Sequence, residues 1–68
     1  MSVYKVVEVI GTSEKSWEAA AMEAVETASK SLRDLRIAEV YQMDLKLENG
    51  KVVAYRVRVK LSFKLQED

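Results

Sequence analysis

The chain has 68 residues, with eleven basic and eleven acidic side chains balancing to zero formal charge and with neither Cys nor His. This bounds residues 1–68 to one small domain and excludes disulfides, thiol catalysis and the usual zinc site. Zero net charge argues against nucleic acid as the main partner. No apolar run reaches the ~20 residues of a membrane span and the start lacks a signal-peptide pattern, so a cytoplasmic protein is expected.

Val3 to Ile10 reads as a strand closed by Gly11, with Val3, Val7 and Val9 as its more consistent apolar face. Ser13 and Ser16 both suit the cap of a following helix, and Glu14 and Glu18 suit its positive end. From about Glu14 to Asp34 the period becomes helical. Trp17, Ala21, Ala24, Val25, Ala28, Leu32 and Leu35 recur at spacings of three and four. Glu23, Glu26, Lys30 and Arg33 occupy the opposite side, with Glu26 and Lys30 ordered for an i,i+4 pair. Ala on the apolar stripe lets the helix lie close to a sheet. Trp17, in phase with that stripe, reads as an anchor at the end of the core.

Ile37 to Glu48 and Val52 to Leu65 flank Asn49-Gly50, a strong signal for a type I′ hairpin turn. The second strand is the cleanest pattern in the chain. Val53, Tyr55, Val57, Val59, Leu61, Phe63 and Leu65 alternate with Ala54, Arg56, Arg58, Lys60, Ser62 and Lys64. A two-residue turn sets Glu48 opposite Lys51, Met43 opposite Arg56, Tyr41 opposite Arg58 and Glu39 opposite Lys60. On that register Ala38 and Val40 share the helix-covered face with Leu61 and Val59. Met43, Leu45 and Leu47 then fall on the other face, unless a bulge shifts the pairing by one residue.

A helix of about 20 residues spans roughly 30 Å, whereas a strand of about 13 spans roughly 43 Å. The hairpin tip must overhang the helix and leave an apolar patch for partner copies. A chain this small also buries only roughly 60 % of its unfolded surface, so oligomerisation is the expected staple. The expected fold is α+β. Its elements run β-α-β-β, with a three-stranded antiparallel sheet wrapped on one amphipathic helix and the final strand central.

The stretches V-Y-K-V-V-E-V-I-G-T-S, the Ala-rich helix, A-E-V and Y-R-V-R-V-K-L-S-F-K-L resemble the dodecin family over essentially the whole chain. The resemblance implies a hollow homo-dodecamer of β-α-β-β subunits that binds or stores ligands without catalysis, many members holding flavin at subunit interfaces. In flavin-binding members a Trp just before the A-E-V or F-E-V element stacks on the ring, and a Gln in the last strand holds its edge. Those positions here are Ile37 and Arg56. Ile37 offers no aromatic face, and Arg56 donates hydrogen bonds without accepting any. The chain therefore resembles the dodecins outside the ordinary flavin-binding group, for which calcium is a candidate ligand. Weak or absent riboflavin binding is expected.

Arg56, Arg58, Lys60 and Lys64 form a cationic row whose bland reading is a solvated or salt-bridged face, with Glu39 opposite Lys60. The sharper reading makes Arg58 and Lys60 anion contacts for a phosphate-bearing ligand such as a flavin nucleotide. Glu8, Glu39, Asp44 and Glu48 are oxygen donors of the kind calcium or magnesium prefers. No cation-binding loop motif is present, so the sequence assigns no metal ligands. No nucleophile motif or phosphate loop points to an enzyme. Two classes remain: a shell that sequesters a small ligand or cation, and a purely structural or interaction assembly.

Overall fold

The computed structural model describes residues 2–66. Strands β1 (Val3–Ser13), β2 (Leu35–Glu48) and β3 (Lys51–Gln66), with helix α1 (Trp17–Ala28) after β1, make up the chain. The sheet is antiparallel in the order β1-β3-β2, with the final strand central as its alternation predicts. No helix among the described residues is long and apolar enough to cross a membrane.

The core lies between one stripe of α1 and the odd face of β3. Ala20, Ala24 and Ala28 meet Val57, Val59 and Leu61, each at most 9 % exposed. Val7, Val9, Trp17, Ala21, Val25, Leu32 and Leu35 pack around them. Ala20 escapes the sequence pattern, and Gly11 explains why it is buried. β1 does not stop at Gly11 but continues to Ser13, and Gly11 pairs with Val57 beneath the helix. A Cβ at Gly11 would overlap the Ala20 carbonyl oxygen and lie 2.9 Å from the Ala24 Cβ. Gly11 is thus a close-approach residue rather than a strand breaker.

Of the two capping serines, Ser16 is the N-cap. Its extended backbone enters the helix, and its Oγ accepts from the Ala19 N–H at 3.0 Å. Ser13 Oγ accepts from the Lys15 N–H one turn earlier. The helix ends at Ala28, well short of the expected Asp34. Ser29 and Ser31 donate their hydroxyls back to the carbonyls of Glu26 and Ala28, and the Ser31 and Leu32 amides both turn in on Ala28 O. Such local bonds compete with continued helix. Lys30 lies beyond this end, so the expected Glu26–Lys30 pair is not a helical one.

Asn49 (φ 52°) and Gly50 (φ 76°) make the hairpin turn with Glu48 opposite Lys51, as the Asn-Gly pair predicts. Farther down, the expected register is corrected. Leu47 pairs with Val52 but Lys46 pairs with Ala54, so Val53 is a bulge. Gln42 pairs with Arg58 but Val40 pairs with Val59, so Tyr41 is a second bulge, on the other strand. The two cancel, and Glu39 opposite Lys60 and Ala38 opposite Leu61 come out as expected. Between them everything moves by one residue: Met43 faces Val57 and Asp44 faces Arg56, not Met43–Arg56 and Tyr41–Arg58. The tip therefore does not invert. The switch from apolar even positions (Ala38, Val40) to apolar odd ones (Met43, Leu45, Leu47) is absorbed by the bulge at Tyr41, which keeps them all on the helix side.

That side is longer than its cover. Twelve helical residues span roughly 18 Å, while the protomer is 51 Å in its longest dimension. Leu45, Leu47 and Val52 stay 42–59 % exposed beyond the helix.

Candidate functional site

The outer face of the sheet carries the even residues of β3: Arg56, Arg58, Lys60, Ser62 and Lys64. Register places Thr12 and Asp44 beside Arg56, Ile10 and Gln42 beside Arg58, and Glu8 and Glu39 beside Lys60. Ile37 stands opposite Ser62 and is 65 % exposed. The face is therefore not a bare cationic row.

Two cross-strand links organise it. Arg56 donates from Nε to Asp44 Oδ1 at 2.7 Å and from Nη2 to Asp44 Oδ2 at 3.0 Å, a bidentate charge-assisted pair about one-third exposed. The Arg56 guanidinium holds the Asp44 carboxyl below the ordinary carboxylate value, chiefly by hydrogen bonding, with Arg58 adding to the pull. Reciprocally, Asp44 raises Arg56. The bulge creates this pair. In the unbulged register Asp44 would sit on the helix side with Tyr55, across the sheet from Arg56.

The second link starts from the bulged residue itself. Tyr41 reaches across β3, its ring covering Lys60 Nζ at 4.7 Å from the centroid and its hydroxyl donating to Glu8 Oε1 on β1. That bond to a carboxylate, aided by desolvation and the Glu8 charge, pushes the Tyr41 phenol above its ordinary value, with Arg58 opposing. Lys60 is thus roofed by an aromatic ring and flanked by Glu8 and Glu39. Of the expected cationic contacts, Arg56 is matched by a carboxylate, Lys60 is covered, and Arg58 has no carboxylate directly opposite it on either neighbouring strand.

The two positions expected to face a ligand, Ile37 and Arg56, are not brought together within a protomer. Ile37 is opposite Ser62, six residues along β3 from Arg56, or roughly 20 Å at 3.3 Å per residue. Nor do these side chains fit a flavin ring. One lacks a stacking face, and the other offers no hydrogen-bond acceptor and has one edge of its guanidinium taken by Asp44. The carboxylates are dispersed as well. Glu8 accepts from Tyr41, Asp44 is held by Arg56, and Glu48 lies 3.9 Å from Lys46. Among the described residues no three potential metal-ligating side chains converge.

On the other face, a groove of about 320 Å³ lies between the start of α1 and β2, lined by Trp17, Glu18, Ala21, Val40, Met43 and Val57. Trp17 forms its rigid wall. The indole N–H donates to Asp44 O at 3.2 Å, and the ring meets Tyr55 edge-on with centroids 5.2 Å apart. Trp17 is an anchor between helix and hairpin, as its phase implies.

The pairing of Asp44 with Arg56 and the Tyr41 bridge were not read from the sequence. The signal was present as the parity switch in β2, which marks a bulge as readily as a change of face.

Comparison with known proteins identifies the family and the fold. The dodecin family model matches residues 3–66. Calcium dodecin of Mycobacterium tuberculosis is 46 % identical over 66 residues, covering 97 % of this chain and 93 % of the relative. Dodecin of Thermus thermophilus is 40 % identical over 65 residues, covering 96 % and 94 %. The crystal structure of the Mycobacterium tuberculosis protein, described as calcium-chelating with a novel calcium-binding site, superposes with a TM-score of 0.85 at 43 % identity over 98 % of this chain and 96 % of that one. The chain belongs to the dodecin family, whose members are binding proteins without catalysis.

Proposed function

We propose that this chain assembles as a cytoplasmic homo-dodecameric shell that sequesters a small ligand or a divalent cation at subunit interfaces, and that it binds riboflavin weakly or not at all. The observation that carries the reading is the separation and chemistry of Ile37 and Arg56. A ligand touching both positions must draw them from different copies, and neither side chain offers what an isoalloxazine ring needs. Losing an aromatic stack removes on the order of 1 kcal/mol per ring face. At a two-fold axis the loss occurs twice, which corresponds to a factor of ~30 in affinity. Supporting the assembly is the uncovered apolar strip Met43–Leu45–Leu47, too extended for one protomer's helix to bury.

Calcium is the cation favoured, through the similarity to calcium dodecin. Among the described residues no three carboxylates converge within one protomer, so such a site draws carboxylates from several copies. Light scattering of the purified protein should give a mass near twelve protomers. Flavin fluorescence should be quenched far more by the Ile37→Trp/Arg56→Gln variant than by the parent chain. Elemental analysis and melting with and without chelator test the ion, since a bound cation raises stability by linkage. Tight riboflavin binding by the parent chain overturns the flavin reading, and melting indifferent to chelator and calcium overturns the ion.

A further inference from the structure

We infer that Asp44 determines which ligands the Arg56 position accepts: it masks the guanidinium, so that this position offers no free cation to an anionic ligand. The inference rests on the proposed interface site and adds a residue that neither the family positions nor the cationic row includes.

Three observations support it. The pair is bidentate, at 2.7 and 3.0 Å, so it uses the Nε and Nη2 edge of Arg56 and both oxygens of Asp44. A guanidinium engaged this way has its charge matched and its Nε–Nη2 edge occupied, which leaves only the Nη1–Nη2 edge for a second anion. The pair is also held in place from behind. The Asp44 backbone carbonyl accepts from the Trp17 indole on the helix side, so the residue is positioned by the core rather than by chance on a mobile surface. Finally, the bulges at Tyr41 and Val53 bracket the pair, and without them Asp44 would not share a face with Arg56 at all.

The consequence is a division of labour along β3. Arg56 is neutralised, and Lys60 is covered by Tyr41 and flanked by Glu8 and Glu39. Arg58 has Ile10 and Gln42, not carboxylates, as its cross-strand neighbours, although it acts on the Tyr41 hydroxyl and on Asp44. The selection at the Arg56 position is against phosphorylated ligands, and it is removable by one substitution.

The test uses riboflavin and flavin mononucleotide, which share a ring and differ by a phosphate. Binding is read by flavin quenching on the intact assembly in an Ile37→Trp background. Adding Asp44→Ala should tighten the mononucleotide about tenfold while riboflavin changes less than about threefold. A further Arg56→Gln should abolish that gain. Equal gains for both flavins, no gain, or a gain that survives Arg56→Gln would each overturn the inference while leaving the interface reading intact. If neither the Ile37→Trp chain nor its Arg56→Gln derivative quenches a flavin, it is the interface reading that fails. The masking is then judged from the rate at which phenylglyoxal modifies Arg56, mapped by peptide mass with Arg58 as internal reference. Asp44→Ala should speed Arg56 severalfold and leave Arg58 unchanged; equal Arg56 rates in the two chains overturn it.

Discussion

The base and the tip of the β2–β3 hairpin carry the same alternating pattern and end in different surroundings. At the base, Val57, Val59 and Leu61 are at most 1 % exposed beneath an alanine face. At the tip, Leu45, Leu47 and Val52 are on the same side of the sheet and 42–59 % exposed. Strand chemistry does not distinguish them. The helix does, because it stops after twelve residues while the strands continue. Apolar alternation thus says which face wants burial, and the length of the covering element says whether its own chain can supply it.

That contrast is open to experiment. The harshest perturbation is at the base: Gly11→Val should cost about 3 kcal/mol or more, or prevent folding, because the side chain collides with helix backbone. Circular dichroism during denaturant unfolding reads it, and a stable Gly11→Val chain would refute the close approach. Leu61→Ala should follow at about 2–5 kcal/mol from the cavity it leaves, measured at fixed protomer concentration because assembly makes melting concentration-dependent.

At the tip the prediction changes in kind. Leu45→Asp should reduce the scattering mass by placing an unpaired carboxylate in an interface. Unchanged mass would show that the tip faces solvent in the assembly. Ser16→Ala should cost about 1 kcal/mol by uncapping the helix, and both halves of the hairpin should report the loss.

The smallest effect separates the outer face from both. Asp44 is held below the ordinary carboxylate value by Arg56. Its stabilisation is therefore complete above the unfolded-state value and disappears as pH falls through the lowered folded-state value. The melting difference between the parent chain and Asp44→Ala should persist at neutral pH and shrink in acid below the usual carboxylate range. A difference that grows on acidification would contradict the pairing.

Much of this architecture was legible in the residues. Asn49-Gly50 demands positive φ at two successive positions, which few other pairs tolerate, so the turn and its Glu48–Lys51 closure follow locally. The β3 alternation likewise identifies the buried face and the central strand without reference to anything distant. The overhanging tip could be anticipated from element lengths alone.

Tertiary structure decided what depends on counting between distant points. A bulge changes no local preference; it is chosen because shifting the pairing by one residue puts Met43 over Val57 and beside Trp17. Only that packing brings Asp44 to Arg56 and sends Tyr41 across Lys60 to Glu8. The helix end at Ala28 was likewise hidden, since the apolar period runs on through Leu32 and Leu35, and both still pack on the core, Leu32 from the segment after the helix and Leu35 from the start of β2. Local chemistry determined which side chains seek burial and where the chain must turn; packing against a distant element decided the register, and with it the partner of each charge.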